Sequence, residues 1–216
     1  MRINKYLARE GHATRRGADE LIAAHKVFIN GKLAALGDKV LATDNVEVKY
    51  RGKPKAYLYY AYNKPRGLAT EEIKVEKVFP IGRLDKESQG LMILTDDGRI
   101  TDRLLNPDRE HGKEYKVTTQ ERLREGFAAR MSSGIDIGDY VTKPCEVTRL
   151  GENTFTIILK EGKKHQIRRM VDAMKLGVRE LERVRIMNIK LAGLKQGALR
   201  TIEGEELATF LKSLGL

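Results

Sequence analysis

The sequence predicts an α+β fold: a small helical and β-meander unit, then a larger unit with a mixed, largely antiparallel sheet flanked by helices. Three observations predict it. Strand-like and helix-like segments alternate without a regular βαβ order, which disfavours a parallel sheet. Two short amphipathic helices and three short strands crowd the first fifty residues. A basic stretch with Gly52 and Pro54 then separates them from an aromatic strand. The chain accordingly divides into residues 1–48, a linker over 49–56 and a second unit over 57–216.

Each element has a local cause. Ile3, Tyr6 and Leu7 at helical spacing predict a first helix over "RINKYLA", which Gly11 stops. Thr14 is the expected N-cap of a second helix in "TRRGADELIAAHK", with Ala18, Leu21 and Ile22 inward. Val27–Ile29 and Lys32–Ala34 flank the tight-turn pair Asn30-Gly31, and Val46 and Val48 alternate in a third strand. In the second unit, Leu58–Tyr62 reads as a strand whose tyrosines are core, followed by a turn over 63–67. "EYKVTT", "YVTKPCEVTRL" and "NTFTIILK" read as strands. "ERLREGFAARMSSG" and "HQIRRMVDAMKL" read as helices, with Leu123, Phe127 and Met131 inward in the first and Met170 and Met174 inward in the second. Strand character is expected over 186–191 and a last helix over 205–214.

Composition narrows the function. Lys and Arg number 41 against 30 Asp and Glu, a net charge of +11 that attracts polyanions, nucleic acid first. No apolar run approaches the roughly 18 residues of a membrane span. Met1 leads directly into "RINKY" without a signal-peptide core, so a cytoplasmic, membrane-free protein is expected. Cys145 is the only cysteine and reads as an ordinary strand residue. No histidine pair has zinc-site spacing, and no glycine-rich phosphate loop occurs. No metal and no cofactor are expected.

The most informative stretch is "PIGRLDKESQGLMILTDDG", from Pro80 to Gly98. It reads as strand, turn, strand, with Arg83 and Asp85 at the turn. An isolated Asp there would be turn chemistry. The surroundings resemble the active-site motif of pseudouridine synthases, GRLD-x4-GL-x3-T-x-DG, with Gly82, Arg83, Leu84, Asp85, Gly90, Leu91, Thr95, Asp97 and Gly98 all present. "NKPRGLAT", with Lys64, resembles the family's first motif. "KEYKV" supplies Tyr115, and "EGKKHQIRRM" supplies Gln166, Ile167 and Arg168. "RINKYLA", "TRRGADELI" and "VFINGK" resemble the S4 RNA-binding domain. Together the segments cover nearly the whole chain. They are most similar to the RsuA-type ribosomal RNA pseudouridine synthases, and within these to the large-subunit (23S rRNA) F type. The chain departs in ending at Gly215-Leu216, without the long basic tail of many relatives, so the resemblance carries over the chemistry and not the affinity or substrate range.

The resemblance implies the chemistry. A uridine C1′–N1 bond breaks, the uracil turns, and the ring is rejoined through C5, with no redox change and no leaving group. Asp85 would attack C1′ or take the C2′ proton, and Arg168 would pair with it and keep it charged away from water. Tyr115 would stack on the flipped uracil and Ile167 would form an apolar wall. Lys64 and Gln166 would contact substrate. Arg83 and Asp85, at i and i+2 of an extended chain, share a face, so Arg83 could fill the slot the uridine vacates. Arg2, Lys5, Arg15, Arg16, Lys26 and Lys32 of the S4-like unit, with Lys163, Lys164 and Arg169, are the expected RNA contacts. His165 is expected to be a structural hydrogen-bonder, and Asp96-Asp97-Gly98 a hairpin turn. The expected partner is structured RNA, ribosomal first and a tRNA anticodon arm second, met by a monomer. The competing reading is a non-catalytic RNA-binding ribosome-assembly factor, which would have no use for an acid facing polyanionic RNA.

Overall fold

The structure is a computed structural model that describes residues 1–49 and 56–216. Most of the expected linker, residues 50–55, lies outside the described residues. The first unit holds α1 (Ile3–Arg9), α2 (Arg15–Ala23) and the strands β1 (Val27–Ile29), β2 (Lys32–Leu33) and β3 (Val46–Val48), which form an antiparallel sheet in the order β2-β1-β3. Thr14 caps α2, its hydroxyl accepting from the Gly17 amide at 3.0 Å. Ile3, Leu7, Ala18, Ile22 and Val27 close a small core.

The second unit runs β4 (Tyr59–Lys64), β5 (Phe79–Ile81), β6 (Gln89–Thr95), α3 (Ile100–Leu105), β7 (Lys113–Thr119), α4 (Phe127–Ser132), β8 (Glu146–Arg149), β9 (Thr154–Leu159), α5 (Gln166–Ala173), β10 (Val178–Ile186), β11 (Ile189–Lys190), β12 (Leu199–Thr201) and α6 (Gly204–Ser213). Its sheet follows β12-β4-β6-β10-β7-β9-β8, with β5 on β6 and β11 on β10. Every pair is antiparallel except β6 with β10, giving the mixed sheet the sequence predicts. β6 is buried on both faces. Leu91 and Ile93 face a core shared with α3 and α6, and Met92 and Leu94 face Tyr62 and Leu84 on the other side. That explains an apolar run where a half-exposed strand would alternate. Tyr59 and Tyr62 are buried, so the tyrosine cluster is core. A second core lies under β7, β9, α4 and α5.

Several expectations are corrected. β4 continues through Asn63 and Lys64, which pair with Leu91 and Gly90, so no turn starts at 63. The helix expected over 121–134 begins only at Phe127, because Gly126 takes φ +73° immediately before it; Leu123 is buried all the same. β10 starts at Val178, eight residues before the expected strand. Its outer positions are charged, which hides the period in "RELERVRI". Asp96-Asp97-Gly98 is no hairpin turn, since α3 follows it.

The two units touch through α3 and its approach. Arg99 donates to the Gly11 carbonyl at 3.3 Å, and Arg103 donates to the carbonyls of Arg9, Leu214 and Gly215 at 2.6–2.8 Å. The turn after α1 is thereby fixed against the C-terminal end of α6.

Candidate active site

A cleft of about 660 Å³ opens between the loop after β5, the start of β7 and the segment entering α5. That is the size of sites that enclose small ligands. It brings together Arg83, Asp85, Tyr115, Ile167 and Arg168, from three separate parts of the sequence. Lys163, Lys164 and His165 also line it.

The loop is built by alternation. Leu84 packs on Tyr62, Met92 and Leu94, and its amide and carbonyl both bond the Thr70 hydroxyl, at 3.1 and 2.9 Å. Anchoring Leu84 inward leaves Arg83 and Asp85 on the cleft side. A turn closed by the Ser88 amide on the Asp85 carbonyl, at 3.0 Å, leads into β6.

Lys64 lies beneath this turn and not in the cleft. It is fully buried, and its ammonium donates to the Leu68 carbonyl at 2.6 Å, the Pro65 carbonyl at 2.9 Å and the Lys86 carbonyl at 3.5 Å. It therefore ties the 65–68 loop to the Asp85 turn, and the expected substrate contact is corrected to a structural one. Burial pushes its pKa down, while Asp85 and Glu87 nearby push it back up.

Asp85 is not withdrawn from water in the free protein; its side chain is 40% exposed. The expected ion pair with Arg168 is not formed. Arg168 donates to the Glu87 carbonyl at 2.9 Å and the Ser88 hydroxyl at 3.3 Å, clasping the far end of the turn that carries Asp85. The basic group beside Asp85 is His165, with Nε2 3.8 Å from Oδ1. His165 precedes α5 with φ +51°, an uncommon backbone for a non-glycine residue. It makes no capping bond to that helix, so the expected structural role is replaced by a place on the cleft wall.

Gln166 is also interior. It is 4% exposed, accepts from the Lys163 amide at 2.9 Å and donates to Glu161 at 2.8 Å. Burial alone would raise the Glu161 pKa, but bonds from Tyr140, the Lys143 amide and Gln166 outweigh it and hold the carboxyl low. Gln166 thus shapes the 161–166 loop at the cleft wall, with its carboxamide already bonded on both sides. Arg169 is taken up by Asp139 and the Ile137 carbonyl, so it is not a free RNA contact. Lys163 and Lys164 are exposed on the cleft rim. In the first unit Arg2, Lys5, Arg15, Arg16 and Lys32 are exposed and Lys26 is half-buried.

Arg183 escaped the sequence reading. It is 3% exposed under the cleft, with Nε on the Leu91 carbonyl at 2.7 Å, Nη1 3.4 Å from the Arg83 carbonyl and Nη2 2.8 Å from the Met92 sulfur. One cation thus joins β10, β6 and the Arg83–Asp85 loop. Gly90 makes this possible. A Cβ there would lie 2.4 Å from the Arg183 carbonyl oxygen, so only glycine lets the two parallel strands meet at this point. The spacing of Leu181 and Arg183, alternate residues of one strand, was the signal that could have pointed Arg183 inward.

The other half of the motif is structural. Asp97 has no exposed side-chain surface. It accepts from the Tyr59 hydroxyl, from the Arg99 amide at 3.0 Å, and from Arg99 Nε and Nη2 at 2.8 Å each. The Thr95 hydroxyl accepts from the Asp97 amide at 3.0 Å and donates to the Leu58 carbonyl. Burial and the neighbouring carboxylate push the Tyr59 hydroxyl far up, and Asp97 raises Arg99 further.

Among the described residues, no group of three or more His, Cys, Asp or Glu side chains is placed to hold a metal ion, and no helix is long and apolar enough to cross a membrane.

The chain is similar to known proteins over nearly its whole length. Residues 58–173 match the family model described as RNA pseudouridylate synthase, and residues 1–46 match the S4 domain. The dual-specificity RNA pseudouridine synthase RluF of Salmonella typhi is 38% identical over 98% of this chain and 78% of its own length. An uncharacterized RNA pseudouridine synthase of Aquifex aeolicus is 35% identical over 100% of this chain and 96% of its own. A crystal structure of a pseudouridylate synthase superposes with a TM-score of 0.70 at 25% identity, covering 99% of both chains. The chain belongs to the RNA pseudouridylate synthase family, as an RNA-modifying isomerase with an S4 domain ahead of its catalytic sheet.

Proposed function

We propose that this enzyme converts a uridine of 23S ribosomal RNA, near the peptidyl transferase centre, to pseudouridine, with Asp85 acting on the ribose. The observation that carries the reading is the cleft itself: an accessible carboxylate faces an aromatic ring and an apolar wall, with lysines at the rim. Asp85 either attacks C1′ or removes the C2′ proton, and both routes need it ionised. RNA closing over the cleft would remove the water that now reaches it. Arg168, already bonded to the same turn, is the cation assigned to balance the carboxylate at that stage. Tyr115 stacks on the flipped uracil and Ile167 covers its other side. Arg83, exposed on the same side as Asp85, takes the place the base leaves in the RNA.

Residues 1–48 supply the RNA-binding unit through Arg2, Lys5, Arg15, Arg16, Lys26 and Lys32, residues 49–56 link it, and residues 57–216 carry the chemistry. We place the enzyme in the cytoplasm, as a monomer. The dual specificity in the name of the RluF relatives supports a second substrate, a tRNA anticodon arm.

The test is pseudouridine mapping by carbodiimide labelling and primer extension on ribosomal RNA and tRNA from cells lacking the gene. The expected result is a missing signal in 23S rRNA, and a second in tRNA where the anticodon arm is also a substrate, restored by wild type and not by Asp85→Asn. An unchanged map in both RNA pools would overturn the reading.

A further inference from the structure

Lys113 opens β7 two residues before Tyr115, so both side chains leave the strand on the face turned to the cleft. A bulge in β10 backs them. Arg183 pairs with Tyr115, Arg185 with Glu114 and Ile186 with Lys113, which leaves Val184 as the extra residue. Arg185 therefore turns to the far face, bonding Glu114 at 2.6 Å, while Arg183 stays beneath the cleft.

The ammonium of Lys113 has little to hold it in the free protein. The side chain is half-buried, and among the described residues no carboxylate lies within 4.0 Å of it. Its hydrogen bond to the His111 carbonyl is long, 3.5 Å. The titratable groups around it are the Arg183 guanidinium from β10 and the His111 imidazole from the segment before β7. Burial first, and Arg183 second, push the Lys113 pKa down to about 8. His111 is itself pushed down by burial and by the Lys113 and Arg109 cations. A desolvated cation among cations weakens a fold, and an apolar side chain of similar length would suit the place better. Such a group makes sense where negative charge arrives during a reaction.

We propose that Lys113 is a substrate contact in the uridine isomerisation assigned to this cleft, its ammonium donating a hydrogen bond to a carbonyl oxygen of the uracil as the ring leaves C1′. The inference rests on that assignment. When the C1′–N1 bond breaks, its electron pair stays with the ring, and the charge spreads over N1, O2 and O4. Lys113 keeps its proton and stabilises that anion through the hydrogen bond. The ring turns and C5 bonds to C1′, breaking the bond from C1′ to Asp85 or, by the other route, with Asp85 returning the proton to C2′. C5 then releases its proton and N1 takes one up, so atoms and charge balance. The ring is anionic only between the two bonds, so Lys113 acts on turnover and not on RNA affinity.

The test is single-turnover tritium release from 23S ribosomal RNA and tRNA transcripts labelled at uridine C5, with wild type, Lys113→Met and Lys113→Arg. Lys113→Met should lose about 10²–10³-fold in rate, as when one donor to a developing anion is removed. Its RNA affinity should be unchanged and its melting temperature equal to or above that of wild type. Lys113→Arg should recover part of the rate. The wild-type rate should fall above about pH 8, where the lysine loses its charge, and this break should move upward in Lys113→Arg. A Lys113→Met rate within threefold of wild type would overturn the inference alone. So would a slow Lys113→Met that melts early and keeps the wild-type pH break, since Lys113 would then be structural. A wild type silent on both RNAs would overturn the substrate assignment and this inference with it.

Discussion

Asp85 and Asp97 belong to one sequence motif and live in opposite surroundings. Asp85 is 40% exposed, and its nearest basic group is a histidine nitrogen 3.8 Å away. Asp97 is fully enclosed and holds Tyr59 and the Nε–Nη2 edge of Arg99. The more heavily bonded carboxylate is the one whose bonding leaves it no capacity for substrate. The sparsely bonded one faces the cleft. The motif thus joins a half that faces the cleft to a structural half. The structural half carries through Arg99 to the Gly11 carbonyl, and so to the RNA-binding unit.

Substitutions should separate the halves. The largest effect belongs to Asp85→Asn, which should cost at least about 10⁴-fold in turnover, as removal of an essential nucleophile or base does. Its melting temperature should match wild type within a degree or two, and filter binding should show unchanged RNA affinity. Asp97→Ala leaves the Arg99 cation without its carboxylate and should cost about 3–5 kcal/mol in urea unfolding. The folded fraction should still turn over, because Asp97 lies outside the cleft. Tyr59→Phe removes one bond to that carboxylate and should cost about 1.5–3 kcal/mol. The exposed Arg122–Glu152 pair calibrates the scale: Arg122→Ala should change stability by about 0–1 kcal/mol.

A pH series extends the contrast to Lys113. Its folded pKa is about 8, below the ordinary 10.5. The unfolded chain therefore binds more protons between those values, and stability rises with pH there. The penalty of the buried cation is fully present below pH 8 and relieved by pH 10.5. Lys113→Met should thus be more stable than wild type at pH 7, with the gain shrinking across that window.

Much of this was legible in the sequence, for identifiable reasons. The helices of the first unit, the N-cap at Thr14 and the strands around Asn30-Gly31 follow from local rules that tertiary contacts did not overrule. The doubly buried β6 was visible as an apolar run. β10 was not, because Arg179, Glu180, Glu182 and Arg185 interrupt the apolar positions that a strand pattern needs. In the site, the residues that meet in the cleft were legible as motif positions, but their bonding was not. Lys64 and Gln166 read as contacts because they lie in segments that resemble the family's motifs. Here backbone carbonyls and Glu161 satisfy them inside, and partners so distant in sequence leave no local mark. Arg183 was missed for the same reason, its acceptors lying on β6.

The most direct measurement is single-turnover tritium release by Asp85→Asn and Asp97→Asn, side by side, with the folded fraction of each taken from its unfolding curve. The account predicts no detectable release from fully folded Asp85→Asn, and near wild-type release per folded molecule from a destabilised Asp97→Asn. Release by Asp85→Asn within tenfold of wild type would contradict it.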